Sequence, residues 1–250
     1  KIMDLTCTDH HLDGTAQHRK LVVDSVGERL KQETLFIFDW DDTLLPTSWL
    51  ERVHAVTGGG EMRPKVQRLM ADLSSVIPET LNLAGTMGTV IIITNSSPGW
   101  VDMSCQHFMP HIAQQVRGYE ILSRPDHEPV RPFKVAVFER ECRQFKNIVS
   151  VGDGTSEREA SLKLHTPPDN PRLDEGDEQP ELARRIKSVK LIECPTCQHL
   201  IAEHEMLLMR LPDVAAYQGS LDLKARFPTT GLAGVPQSAK GKGCTLVHFS

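Results

Sequence analysis

The chain has 250 residues, 39% of them hydrophobic and 24% charged, ordinary for one large or two small globular domains and unlike wholesale disorder. Its 28 Lys and Arg against 33 Asp and Glu leave a formal charge of −5, which ranks a general binder of nucleic-acid phosphates low. The longest apolar runs, such as Val90-Ile91-Ile92-Ile93, fall far short of the roughly 20 residues that span a bilayer, so no membrane span is expected.

Residues 1–14 read as a loose polar arm, with His10 and His11 in solvent. Leu21, Val22, Val26 and Leu30 recur at helical spacing, which predicts an amphipathic helix from Thr15 to Gln32. Residues 1–33 thus form an arm and helix packed on the core. Leu35 to Phe38 is a short continuous apolar run, the pattern of a strand buried on both faces. It ends abruptly in Asp39-Trp40-Asp41-Asp42-Thr43.

Leu44 to Arg63 contains Pro46 and Gly58-Gly59-Gly60 and reads as a loop-rich flap. The triple glycine lacks the following Lys-Ser/Thr of a P-loop, so a flap tip is the better assignment. Pro64 to Leu83 has a helical period. Val90 to Ile93 is a second buried strand, ending in Thr94-Asn95-Ser96-Ser97. Trp100 to Val116 is helical, disturbed at Pro110. Tyr119 to Leu122 is a strand and Lys134 to Phe145 a helix. Ile148 to Val151 is a further buried strand, ending in Gly152-Asp153-Gly154. Residues 165–181, rich in proline and acids, read as a solvated surface loop. Val189 to Ile192 is a last strand and Cys197 to Met209 a last helix. Residues 224–250, rich in Gly, Pro, Ser and Lys, read as a tail or loose strap.

Strands alternating with helices mean an α/β fold with a mostly parallel sheet, its main domain at 34–223. The six cysteines, Cys7, Cys105, Cys142, Cys194, Cys197 and Cys244, are dispersed apart from one CxxC. That usage suits free thiols in a reducing compartment, and a cytoplasmic location is expected.

Three buried strands end in polar groups: Asp39 and Asp41, Thr94 and Asn95, and Asp153. Ligands of open parallel sheets bind at the carboxyl ends of strands, so these segments are expected to converge. Extended backbone would point Asp39 and Asp41 the same way. With Asp153 they would crowd three carboxylates, which repel unless a proton or cation intervenes. A hard divalent ion answers that, and Mg²⁺ is usual where phosphate is also bound. An acid-rich turn capping a helix is the plain structural alternative.

Phe36-Ile37-Phe38-Asp39-Trp40-Asp41-Asp42-Thr43 resembles the first motif, hhhDxDxT, of the haloacid dehalogenase-like (HAD) superfamily. Val90 to Asn95 looks like its second motif, Lys134 stands where the third places its lysine, and Ile148 to Asp153 with Glu157 resembles the fourth. The likeness covers roughly residues 34 to 193. It implies a three-layer Rossmann-like core and a Mg²⁺-dependent phosphatase working through an aspartyl-phosphate. In that scheme Asp39 is the nucleophile and Asp41 the acid and base. Thr94 and Lys134 are catalytic, and with Thr43 and Asn95 they contact the phosphoryl group. Asp39, Asp41, Asp153 and Glu157 serve the metal. A nearby arginine is the alternative to Lys134, and Lys146 is the weaker lysine candidate, because it lies at the wrong end of its strand. Glu157, one methylene longer than the usual Asp, supports the metal's water shell or orients Lys134. Dehalogenases and ion pumps of the superfamily lack the second aspartate, so Asp41 favours phosphoryl chemistry.

Too few residues separate Thr43 from Pro64, or Thr94 from Lys134, for a large cap domain. An uncapped site suits a bulky phosphorylated substrate, a small molecule or a phosphoprotein; neither nucleic acid nor membrane is an expected partner. Two other classes remain open, a phosphotransferase and a non-catalytic binding module. Cys194, Cys197, His199 and His204 invite a zinc assignment. However, two histidines five apart on a helix are turned about 140° from each other, and a strand-to-helix turn with free thiols is preferred. Trp49 and Trp100 are assigned to packing or to the mouth of the cleft.

Overall fold

Leu35, Phe36, Ile37 and Phe38 alternate between two apolar layers, as the period-two geometry of a strand requires. Phe36 and Phe38 enter one core cluster, Leu35 and Ile37 the other. This strand is the centre of the computed structural model, which describes residues 27–57, 63–164, 184–228 and 244–249. The expected helix from Thr15 to Gln32 lies outside the described residues up to position 26, and a helix α1 is seen at 27–33. The triple glycine and the acidic loop at 165–181 also lie outside them.

The sheet has seven strands in the order β3-β2-β1-β4-β5-β6-β7. They are β1 (Thr34–Phe38), β2 (Thr89–Thr94), β3 (Glu120–Ser123), β4 (Asn147–Gly152), β5 (Arg185–Lys190), β6 (Leu221–Arg226) and β7 (Thr245–His248). All neighbouring pairs are parallel except β6 with β7. The chain is therefore an α/β protein with a mostly parallel sheet. Helices α3 (Pro64–Met87) and α8 (Cys197–Ala216) pack together in the layer that buries Phe36, Phe38, Val149 and Val189. Helices α6 (Val130–Glu141) and α7 (Thr155–Lys163) cover the opposite face over Leu35, Ile37, Ile91 and Ile148.

Several elements depart from expectation, each for a physical reason. The flap contains a helix α2 (Thr47–Thr57), whose Leu50 is buried and whose Trp49 and Val53 pack on the core. Asp42 starts it by accepting from the Ser48 amide at 2.9 Å, a capping role that outweighs the breaker signal of Pro46. The helix expected from Trp100 to Val116 is split into α4 (Trp100–Phe108), a 3₁₀ turn (Pro110–Ile112) and α5 (Ala113–Val116). Strand β5 begins four residues before its expected start, because Lys187 is wholly buried and bonds to the amide oxygen of Asn147. The stretch assigned to a tail contributes the end of β6 and all of β7 to the sheet. Among the described residues no cap domain interrupts the core, and no helix is long and apolar enough to cross a membrane.

Candidate active site

From β1 the chain builds outward to β2 and β3 on one side, and from β4 to β5 and β6 on the other. The strand order thus reverses between β1 and β4, and in open α/β sheets the ligand crevice lies at such a reversal, outside the carboxyl ends of the strands. Asp39 follows β1, Thr94 ends β2, and Gly152-Asp153 close β4.

The first segment is a tight turn and not the extended continuation that its spacing suggested. The amides of Thr43, Leu44 and Leu45 all donate to the carbonyl of Trp40, at 3.3, 2.8 and 3.0 Å. The Trp40 side chain is wholly buried and donates to Ser104 Oγ at 3.0 Å, which anchors the turn. Asp42 takes a left-handed conformation, φ 54°, which an Asp tolerates better than most residues.

Asp39 is buried, and its amide donates to the carbonyl of Val151 at 3.0 Å, fixing it beside β4. Lys134 reaches it from α6, with Nζ 2.9 Å from Asp39 Oδ1. The same ammonium bonds to Glu157 Oε1, which also accepts from Ser156 Oγ at 2.9 Å. Burial pushes the Asp39 carboxyl up from its ordinary value, and Lys134 opposes that rise. Glu157 folds beneath Gly152 and Gly154. A Cβ on either glycine would stand within 2.7 or 2.5 Å of the Glu157 side chain, so only glycine leaves room for it. Lys146 lies away from this group and pairs with Glu33.

Asp41 makes a different set of contacts. Its Oδ1 accepts from Thr47 Oγ1 at 2.6 Å and from the Trp100 indole at 2.8 Å. Its Oδ2 accepts from Ser96 Oγ at 2.5 Å and Thr94 Oγ1 at 3.4 Å. Of these donors, Thr94 was expected at the site and Trp100 only as packing or at the cleft mouth. Thr47 and Ser96 had no sequence signal beyond lying near the motifs. Asn95 donates to Ser156 Oγ at 3.3 Å, linking the end of β2 to α7.

Asp153 is half-buried. Its amide donates to Thr43 Oγ1 at 3.1 Å, and its carbonyl accepts from Lys190 Nζ at 2.6 Å. Thr43, expected among substrate-contacting residues, is wholly buried and ties the β1 turn to β4. Burial, then the charges of Asp39 and Asp42, push the Asp153 carboxyl up to about 7; Lys134 and Lys190 act against them. From below, His204 on α8 donates through Nε2 to the Thr43 carbonyl at 2.8 Å. A carbonyl only accepts, so Nε2 carries a proton; Nδ1 lies 3.0 Å from Thr80 Oγ1, whose hydroxyl also reaches the Val76 carbonyl at 3.1 Å.

The donor set is chemically suited to a hard cation. Asp39 and Asp153 destabilise each other's charge across the crevice, the condition a divalent ion relieves. Mg²⁺ takes one or two carboxylates and completes its shell with water and phosphate oxygens. Among the described residues no group of three or more His, Cys, Asp or Glu side chains is arranged to hold a metal alone. Of the four expected metal residues, Asp41 has both carboxylate oxygens engaged by protein donors, whereas Glu157 gives Oε1 to Lys134 and Ser156 and keeps its buried Oε2 without a partner. Asp39, Asp153, that Glu157 oxygen and backbone carbonyls remain as donors.

The CxxC and its histidines are not gathered. Cys194 is exposed, whereas Cys197 is buried against Leu69 and Met70. His199 closes the capping box of α8 with Thr196, and His204 lies in the core. Comparison of the chain with protein-family models, curated proteins and solved structures finds no match.

Proposed function

We propose that the protein is a Mg²⁺-dependent phosphatase of the HAD type that hydrolyses phosphomonoesters through an aspartyl-phosphate. The observation that carries this is the pairing of buried Asp39 with the wholly buried Lys134 at the carboxyl end of the central strand. A buried carboxylate beside a fixed ammonium, in a crevice, is a nucleophile with its charge partner already in place.

An oxygen of Asp39 attacks phosphorus, and the bond from phosphorus to the ester oxygen breaks. Asp41 donates a proton to that leaving oxygen. A water then attacks the phosphorus of the acyl phosphate while Asp41 takes its proton, which releases phosphate and restores Asp39. Thr47, Ser96 and Trp100 hold Asp41 for both transfers. Lys134 neutralises charge shared between Asp39 and the phosphoryl group, and Glu157 fixes Lys134. Asp39, Asp153 and the carbonyl of Asp41 would hold Mg²⁺, which supplies further neutralisation of the phosphoryl oxygens. An uncapped crevice suits a phosphoryl group carried on a bulky molecule, such as a phosphoprotein.

The test is phosphate release from an aryl phosphate, by wild type and Asp39→Asn, with Mg²⁺ or with chelator. Turnover by wild type in Mg²⁺ alone is expected. Wild-type rates in Asp39→Asn, or full activity in chelator, would overturn the proposal.

A further inference from the structure

Directly after β3, Arg124 holds the turn that follows β2. Its backbone amide donates to the carbonyls of Thr94 at 3.1 Å and Ser96 at 3.2 Å. Its Nε donates to the intervening carbonyl of Asn95 at 2.8 Å. The rest of the guanidinium is tied by Nη1 to the carbonyls of Pro125, at 3.2 Å, and Glu128, at 2.6 Å. All three side-chain hydrogen bonds go to backbone carbonyls, and among the described residues no carboxylate pairs with the guanidinium.

Three successive carbonyls of one turn therefore face a single residue. In a planar trans peptide the N–H points opposite to the carbonyl. The amides of Asn95, Ser96 and Ser97 are consequently turned away from Arg124. The direction is visible at Ser96, whose amide meets Thr94 Oγ1 at 3.0 Å, on the side where Thr94 and Ser96 reach Asp41. A row of amides with a hydroxyl, backed by an uncompensated guanidinium, is a concavity suited to an anion.

We propose that Arg124 is a positioning residue for phosphoryl binding. Its amide holds the carbonyls of Thr94 and Ser96 and its guanidinium that of Asn95, so that the N–H groups of Asn95 and Ser97, with Thr94, face the phosphoryl oxygens, the Ser96 amide being held by Thr94 Oγ1. The inference rests on the phosphatase proposal and adds a residue from outside the four motifs. Lysine cannot replace it, because an ammonium is a point charge without the planar fork that joins the Asn95 carbonyl to those of Pro125 and Glu128.

The experiment compares wild type, Arg124→Ala and Arg124→Lys on an aryl phosphate in Mg²⁺, with inorganic phosphate as competitive inhibitor and melting temperature recorded for each. Phosphate inhibition should weaken roughly tenfold or more in both variants, as loss of ordered donors to a charged group implies. Added guanidinium at millimolar concentration should restore part of the turnover of Arg124→Ala, but not of Arg124→Lys, without raising either melting temperature. A purely structural role would leave phosphate inhibition of the folded enzyme unchanged. If Arg124→Ala does not fold, Arg124→Lys alone decides: wild-type phosphate inhibition there overturns the inference. Wild-type inhibition in Arg124→Ala overturns it too, while leaving the phosphatase proposal standing. A wild type that neither hydrolyses the ester nor binds phosphate overturns the phosphatase proposal and this inference together.

Discussion

His204 gives the sharpest test of how α8 supports the turn after β1. The ring is wholly buried, and burial pushes its proton affinity down to about 4; the hydrogen bond to the Thr43 carbonyl opposes this only in part. An unfolded histidine titrates near 6.5. The folded value lies below the unfolded one, so the unfolded chain binds the proton more readily. The stability this difference contributes is present above about pH 6.5 and is lost as pH falls toward 4. The full loss is about 3 kcal/mol, and at pH 5 it has reached about 2 kcal/mol. Glutamine at this position can donate to the Thr43 carbonyl and accept from Thr80 but does not titrate. His204→Gln should be the less stable protein at pH 7, through poorer packing. The gap should narrow by about 2 kcal/mol when urea unfolding is repeated at pH 5. The raised carboxyls of Asp153 and Glu203 act in the opposite direction in both proteins and cancel in the comparison. A gap that stays constant between pH 7 and 5 would refute a neutral, buried His204.

Trp100→Phe removes one donor from Asp41; hydrogen bonds to charged groups contribute about 1.5–3 kcal/mol, so turnover should fall on the order of 10- to 100-fold. The fall should be larger for alkyl than for aryl phosphates, and an equal fall would contradict Asp41 as leaving-group acid. Gly154→Ala places a Cβ 2.5 Å from Glu157 Oε2. Such overpacking costs about 1–3 kcal/mol; it should displace Glu157 from Lys134 and lower kcat, and an unchanged kcat would show that Glu157 does not fix the lysine. Mg²⁺ and Ca²⁺ should both raise the melting temperature by mass action, with turnover in Mg²⁺ only. Asp153→Ala should abolish the Mg²⁺ shift, and a retained shift would place the metal elsewhere.

The sequence is most legible where strands are buried on both faces. Strands β1, β2 and β4 read as continuous apolar runs, and their ends located Asp39, Thr94 and Asp153 in one crevice. Strands β5 and β6 are interrupted by charged residues, and β7 is a short run in a stretch rich in Gly, Pro, Ser and Lys. Arg185-Ile186-Lys187 does not look like interior strand until Asn147 is seen to satisfy Lys187. In β6, Leu223 and Ala225 face the core while Asp222 pairs with Arg158 outside it. Lys134, which pairs with Asp39, was separable from Lys146 by strand polarity alone. The donors around Asp41 were not legible, since Ser96 and Trp100 lie 55 and 59 positions away and meet it only through the fold. His204, 161 positions from Thr43, is hidden for the same reason. Local pattern marks where chemistry-bearing groups emerge, and tertiary packing decides which neighbours hold them.

In the proposed reaction Asp39 carries the phosphoryl group. Enzyme in Mg²⁺ should be mixed with excess aryl phosphate, quenched in acid during turnover, reduced with borohydride and digested. An acyl phosphate is reduced to the alcohol, so homoserine is expected at position 39 in the wild-type peptide. None is expected at position 41, and none in Asp39→Asn. Homoserine at another aspartate, or brisk hydrolysis by Asp39→Asn, would contradict it.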